Sequence, residues 1–128
     1  MSVSRRVAMI AAVLVYAGTA QPASAAQWVE VGSATNGIKL LVDTDSPVAE
    51  KTRVQLEQRF VFPRTGSHRL SRVDQLVVYG CASRTVTTLR SIEYERGGRI
   101  SRVDPAKSIP PYRIGPGTLP QFVFDLVC

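Results

Sequence analysis

The sequence contains few of the residues on which enzyme active sites commonly depend. It has a single histidine, His68, so any histidine triad or histidine-ligated metal site would have to include that residue. His68 stands beside Arg69 at the start of a β-favouring run, where we expect a solvated or edge side chain. We therefore predict that the protein is not an enzyme and carries no cofactor.

The sequence also lacks an apolar run that is long enough to cross a bilayer. The longest run, Val7 to Ala17, has 11 residues, whereas a membrane-spanning helix needs about 20. Arg5-Arg6 precedes this run and Ala23-Ser24-Ala25 follows it, which is the layout of a secretory signal peptide. We expect residues 1–25 to be removed, leaving residues 26–128 as one exported domain without a transmembrane segment.

Cysteine is scarce, and its placement is informative. Cys81 and Cys128 are the only two cysteines, and both lie in the predicted mature domain. Two thiols in an oxidising compartment usually pair, and their wide separation along the chain favours a structural disulfide over a redox-active one. No cysteine directly follows the predicted signal peptide, so we expect a periplasmic, secreted or cell-surface protein that is not a lipoprotein.

The charge of the mature domain is only mildly basic. Two of the 16 basic residues and none of the ten acidic ones lie in the predicted signal peptide, so 14 basic and ten acidic residues leave a net charge of +4. A modest excess of this sign favours acidic partners such as sulfated glycans, anionic lipid headgroups or acidic proteins. Nucleic acid is not an expected partner of an exported protein.

Short β-favouring runs alternate with turn signals along the mature domain. Asn36-Gly37 and Gly97-Gly98 are dipeptides suited to tight hairpin turns. From Arg53, apolar and polar residues alternate with a period of two, which is typical of a half-buried strand. One face would carry Val54, Leu56, Phe60 and Phe62, and the other Arg53, Gln55, Glu57 and Arg59. The predicted strands lie at residues 28–31, 38–42, 53–62, 68–81, 84–95 and 100–103.

The C-terminal segment has a different pattern. Prolines and glycines fill residues 105–117, which predicts a crossover loop. Thr118 and Gln121 are spaced as in a capping box, with Pro120 in the first helical turn. The apolar residues that follow recur at helical spacing and predict an inward stripe of Phe122, Val123, Leu126 and Val127.

These elements predict an α+β fold. The sheet is expected to be an antiparallel β-meander of about six strands. The C-terminal α-helix is expected to pack on one sheet face, where the disulfide between Cys81 and Cys128 would tether it. Trp28, in the first strand, is expected to anchor the core, with a ligand platform as the alternative.

Seven segments of the mature domain, taken in order, resemble a known family of small exported bacterial proteins. They are Trp28, Leu41-Val42-Asp43, the run from His68 to Asp74, Val78-Tyr79-Gly80-Cys81 with Arg84, Tyr94 before Gly97-Gly98, Pro116-Gly117-Thr118 and Val127-Cys128. In these segments the chain resembles the surface-adhesin E family. The resemblance implies a disulfide-tethered helix on an antiparallel sheet. It also implies a non-catalytic binding module that adheres to host extracellular-matrix proteins or acidic glycans.

A second interpretation assigns the same domain to the bacterial envelope. Without a lipidation cysteine, a soluble periplasmic structural or accessory protein is the alternative to an adhesin. Asp43 and Asp45 could suggest a calcium loop, yet the oxygen-rich spacing and the later glutamate of such loops are missing, so we expect them to cap a turn. No metal site is predicted.

Arginines supply the one feature that points to a ligand. Arg64, Arg69 and Arg72 lie around an earlier hairpin, and a second group lies on or near the last one. Arginine suits bidentate pairing with sulfate, phosphate or carboxylate, whereas solvated strand faces are the alternative role. The predicted basic binding patch consists of Arg84, Arg90, Arg96, Arg99 and Arg102.

Overall fold

The computed structural model describes residues 26–66, 68–105 and 109–128. The predicted signal peptide, residues 1–25, lies outside the described residues, as do residues 106–108 of the predicted loop. No helix among the described residues is long and apolar enough to span a membrane. The described elements are β1 (Trp28–Ser33), β2 (Lys39–Asp43), β3 (Val48–Glu50), β4 (Arg53–Val61), β5 (Leu70–Gly80), β6 (Thr85–Glu95), β7 (Ile100–Asp104), β8 (Tyr112–Arg113) and α1 (Leu119–Val127).

The described strands form one antiparallel sheet in the order β1-β2-β4-β5-β6-β7, which confirms the predicted six-stranded meander. Two short strands were not predicted. β3 pairs with the start of β4, and the turn between them places Lys51 at a φ of 56°. β8 pairs with the start of β6 through Tyr112 and Arg113. Both extend the sheet only locally.

Alternation along each strand divides the sheet into two unlike faces. In β4, Val54, Leu56 and Gln58 are buried and point to the face on which α1 lies. This side is called the covered face. Its hydrophobic core consists of Leu40, Val42, Val54, Leu56, Val77, Tyr79, Val86, Ile114, Val123 and Phe124.

Polar side chains in this core are paired with each other. The Tyr79 hydroxyl donates to Gln58 Oε1 at 2.6 Å, and Gln58 Nε2 donates to Gln75 Oε1 at 3.0 Å. Tyr79 and Gln58 are both fully buried, and burial raises the pKa of the Tyr79 hydroxyl far above its usual value. The hydrogen bonds therefore offset the cost of placing an amide and a phenol among aliphatic side chains.

Helix α1 packs through only part of the predicted stripe. Val123 is buried and Val127 packs against the core, together with Phe124, which was not predicted. Phe122 and Leu126 are 46% and 58% exposed. Phe122 lies beside β1, and its ring occupies the space that a Cβ at Gly32 would enter. Packing against β1 thus selects which of the apolar helix residues point inward.

The start of α1 also differs from the prediction. Thr118 has the extended backbone of a cap residue, but its hydroxyl donates to the Gly115 carbonyl at 2.7 Å and bonds no helical N–H. The Gln121 side chain donates to Asp125 Oδ1 at 2.6 Å. The predicted capping box is therefore not formed, because both of its side chains have other partners.

The end of α1 is tied to the sheet by the predicted disulfide. Cys81 follows β5 and is bonded to Cys128, with Cα atoms 5.4 Å apart. A second tie lies nearby, where the Arg84 guanidinium stacks on Phe124 at 4.5 Å and donates to Gln121 Oε1 at 2.6 Å. Helix α1 is thus held to the covered face by a covalent bond and by one arginine.

The two outermost strands are irregular. In the β1–β2 pairing, Glu30 faces Leu41 and Gly32 faces Leu40, so Val31 is an extra residue in β1. The β6–β7 pairing likewise skips Ser101 in β7. Each edge of the main sheet path therefore carries a β-bulge, which bends the strand and increases its twist.

Candidate functional site on the helix-free face

The face of the sheet opposite α1 carries charged, aromatic and aliphatic side chains. Alternation in β4 turns Arg53, Gln55, Glu57 and Arg59 to this side. The pairing register then assigns the neighbouring residues on the other strands. This helix-free face includes Trp28, Glu30, Lys39, Leu41, Glu50, Arg53, Gln55, Glu57, Arg59, Arg72, Asp74, Leu76, Arg90, Ile92 and Tyr94.

An ion pair lies at the centre of the helix-free face. Arg59 in β4 stands directly opposite Asp74 in β5. Arg59 Nε donates to Asp74 Oδ1 at 2.7 Å, and Arg59 Nη2 donates to Asp74 Oδ2 at 3.0 Å. The side chains are only 22% and 18% exposed, so this bidentate pair is partly shielded from water and its geometry is fixed.

Trp28 extends this pair towards β1. The Arg59 guanidinium lies 4.1 Å from the centre of the Trp28 ring, at the distance of a cation–π contact. Trp28 is half-buried and does not belong to the core on the covered face. The expected core-anchor role of Trp28 is therefore wrong, because the β1–β2 register turns the ring to the helix-free face.

Arg72 and Tyr94 continue the row towards β6. The Arg72 guanidinium lies 3.9 Å from the centre of the Tyr94 ring, and Arg72 Nε is 3.4 Å from Asp74 Oδ2. Arg72 Nε is buried, yet it makes no hydrogen bond with any described residue. The row thus has two arginines that share one aspartate, with an aromatic ring at each end.

The predicted basic patch is spread over several places. Arg90 is on the helix-free face, 3.5 Å from Glu57. Arg84 contacts α1, as described above, and Arg96 donates to the backbone carbonyls of Phe62 and Pro63. These three arginines therefore do not form one patch. Arg84 contacts helix α1, Arg96 contacts the backbone that follows β4, and Arg90 lies on the helix-free face.

Arg99 and Arg102 lie near the β6–β7 turn. Together with Arg69 they line an open groove, and each has an acidic partner. Arg99 and Arg69 contact Glu95 at 2.8 and 3.0 Å, and Arg102 contacts Asp104 at 2.9 Å. A hydrogen bond from Arg99 holds the pKa of the Glu95 carboxyl below its usual value. The positive charge of this group is therefore largely balanced by its own acids.

The remaining candidate residues have local contacts. Asp43 Oδ1 accepts hydrogen bonds from the Gln27 and Asp45 backbone N–H groups, both at 3.0 Å, which is the predicted turn-capping role. His68 is half-buried, and its ring centre is 5.4 Å from that of Phe62. In the part of the chain that the structure describes, no three histidine, cysteine, aspartate or glutamate residues cluster as metal ligands would.

A comparison with solved structures finds the same architecture. The structure of Haemophilus influenzae protein E is 16% identical in sequence, and the two superpose with a TM-score of 0.52 over 85% of this chain and 89% of protein E. This chain has a protein E-like fold. The selenomethionine form of protein E gives a TM-score of 0.53 over 85% of this chain and 92% of that chain, again at 16% identity.

The likeness to protein E lies in the fold. A scan against protein-family models finds no match to the sequence, and a search of curated proteins finds none either. The two chains share the fold at only 16% sequence identity.

The central row of this face was missed in the sequence analysis, although one signal for it exists. Arg72 and Asp74 are two residues apart in a β-favouring run, so they share a face. Arg59 was placed on the polar side of its strand by alternation. Only the β4–β5 register brings the three side chains together.

Proposed function

We propose that this chain is a non-catalytic exported binding module that contacts its partner through the helix-free face. The row of Trp28, Arg59, Arg72 and Tyr94 around Asp74 carries this proposal. Tryptophan, tyrosine and arginine are the residues that most often dominate protein interfaces, since they combine a large contact area with directed hydrogen bonds. A sheet face that holds them half-exposed and already oriented is suited to recognition.

The proposed partner is a host extracellular-matrix protein or an acidic glycan. The resemblance to surface-adhesin E supports this choice, as do the arginines of the face, whose planar forks suit sulfate and carboxylate groups. Four of its side chains are arginines (Arg53, Arg59, Arg72 and Arg90), and the register also brings Lys39 and the acids Glu30, Glu50, Glu57 and Asp74 to this face. Of the five arginines of the predicted basic patch, Arg90 is the one that we place in the proposed interface.

Export of this module is part of the proposal. We propose residues 1–25 as a cleaved signal peptide and residues 26–128 as the mature domain. The disulfide between Cys81 and Cys128 supports an oxidising compartment. Mass spectrometry of the protein from native cells is expected to show a chain that starts at Ala26 and contains the disulfide, and a chain that retains residues 1–25 would contradict export with cleavage.

The experiment for the binding role uses the oxidised mature domain on an array of purified matrix glycoproteins and glycosaminoglycans. Saturable binding to at least one of them is expected. NMR shift changes on adding that ligand should then concentrate on β4, β5 and β6 residues of the helix-free face. Changes confined to α1, or no binding to any arrayed molecule, would overturn the proposal.

Antibody accessibility on unbroken cells separates the adhesin from the envelope alternative. Surface exposure is expected for a matrix-binding protein. Confinement to the periplasm would instead assign the domain a structural or accessory role inside the envelope.

A further inference from the structure

Arg72 has unused binding capacity on the helix-free face. We infer that the partner is a protein that presents a single aspartate or glutamate to Arg72, an inference that rests on the binding role proposed above for this face. The carboxylate would pair with the Arg72 guanidinium beside Tyr94.

The charges of the central row do not balance. Asp74 uses both carboxylate oxygens for Arg59, at 2.7 and 3.0 Å. Arg72 Nε lies 3.4 Å from Asp74 Oδ2, and this nitrogen makes no hydrogen bond with any described residue. Two cations therefore share one anion, and a second carboxylate would complete the row. Arg72 is also the more accessible arginine, 37% exposed against 22% for Arg59.

The geometry determines how such a carboxylate would approach. The Tyr94 ring lies 3.9 Å from the Arg72 guanidinium carbon and holds the group in place. Nε is buried, so a partner would meet the two terminal nitrogens. These nitrogens form the planar fork that binds a carboxylate through two parallel hydrogen bonds. The site is thus prearranged for one carboxylate.

The neighbours favour a protein over a sulfated glycan. A polyanion needs several unneutralised cations, but Arg59 is paired with Asp74 and Arg90 lies 3.5 Å from Glu57. Sugar rings stack on open aromatic faces, whereas one face of Trp28 and one of Tyr94 already carry a guanidinium. Half-buried aliphatic side chains flank the row at Leu76 and Ile92, as is typical of protein interfaces.

The test selects short random peptides on the immobilised, oxidised mature domain and then measures the affinity of the enriched peptides. Enriched peptides are expected to contain aspartate or glutamate. Arg72→Gln is expected to weaken their binding about tenfold or more, which is less than the roughly 30-fold for one partner of a fully buried charged pair because Arg72 is partly exposed. Arg72→Lys should recover part of the loss, because it keeps the charge without the fork.

The matched control is Arg69→Gln. Arg69 is an exposed arginine with one acidic partner, Glu95, and it lies outside the helix-free face. Its substitution is expected to leave peptide affinity unchanged. Arg72→Gln should itself fold normally, since Asp74 keeps its bidentate partner Arg59, and a thermal unfolding curve checks this.

Several outcomes would overturn the inference. They are recovery of no peptide, enrichment of peptides without acidic residues, and equal losses in the Arg72 and Arg69 variants. Binding of heparin that depends on Arg72 while peptide binding does not would assign the site to a glycan. Acidic peptides that require Arg72, with no binding to any matrix molecule on the array, would support the carboxylate site and reject the matrix partner.

Discussion

The two faces of this sheet arise from the same strands and have opposite characters. On the covered face, α1 closes an aliphatic core in which even the polar atoms of Tyr79 and Gln58 are paired with each other. On the helix-free face, Arg59, Asp74 and Trp28 also contact one another, but they stay partly open to solvent. One face is closed by the protein's own helix, whereas the other is ordered and remains accessible.

The largest loss of stability is expected on removing the disulfide that ties α1 to the covered face. Replacing Cys81 and Cys128 together by serine opens a link between residues 47 positions apart. The loop-closure relation gives a loss of about 4 kcal/mol in the free energy of unfolding. Urea unfolding measures it, and the wild type with and without reductant is the matched control. An unchanged midpoint would show that packing alone holds α1.

A pair of adjacent leucines compares the faces directly. Leu40 is fully buried on the covered face, and Leu41 is half-buried on the helix-free face of the same strand. Leu40→Ala is expected to lower the free energy of unfolding by about 3 kcal/mol, because it leaves a cavity in the core. Leu41→Ala should cost about 1 kcal/mol or less, since water can fill the space. Urea unfolding measures both variants, and equal losses in their unfolding free energies would contradict the difference between the two faces.

Two tyrosines provide a finer comparison. Tyr79→Phe removes the donor to the fully buried Gln58 Oε1 and is expected to cost about 2 kcal/mol. Tyr94→Phe on the helix-free face keeps the ring that stacks on Arg72 and should change the unfolding free energy little. Thermal unfolding of both variants tests this. A larger loss from Tyr94→Phe would mean that the helix-free face contributes more stability than its exposure suggests.

The smallest effect is expected at the β6–β7 turn, away from the core. The folded-state pKa of Glu95 lies below its usual 4.5, chiefly because Arg99 donates a hydrogen bond to it. A lowered folded-state pKa means that this stabilisation is present above pH 4.5 and is lost as the pH falls through the folded value. NMR titration should show Arg99→Gln raising this pKa and Arg102→Gln leaving it in place. No change with Arg99→Gln would contradict the assigned cause.

The fold was predictable where a strand alternates clearly, as β4 does. In β4, the alternation starting at Arg53 correctly assigned Val54 and Leu56 to the core. Gln58 shows what alternation within one strand cannot predict. Its amide is buried among aliphatic side chains, where it accepts a hydrogen bond from Tyr79 of the neighbouring strand. Such a partner is not visible in the sequence of one strand. β3 and β8, of three and two residues, form through pairing and lack a pattern of their own.

The candidate site was less predictable, because pairing decides what an arginine does. Arg84 and Arg96 were predicted to belong to the basic patch, yet Arg84 ties α1 to the sheet and Arg96 binds backbone carbonyls. Arg72 lies in β5, outside the last hairpin on which the predicted basic patch was centred. Its role depends on the β4–β5 register and on the ring of Tyr94, and neither is encoded by arginine spacing.

The extra residues Val31 and Ser101 have a consequence for how this protein can associate. They lie in β1 and β7, the two strands at the ends of the main sheet path. A foreign strand that extends a sheet needs a straight row of free backbone N–H and C=O groups, and a bulge interrupts that row. Both edges of the main sheet path therefore disfavour the addition of a further strand, as in fibril growth. A partner would bind the side chains of the sheet and not its backbone.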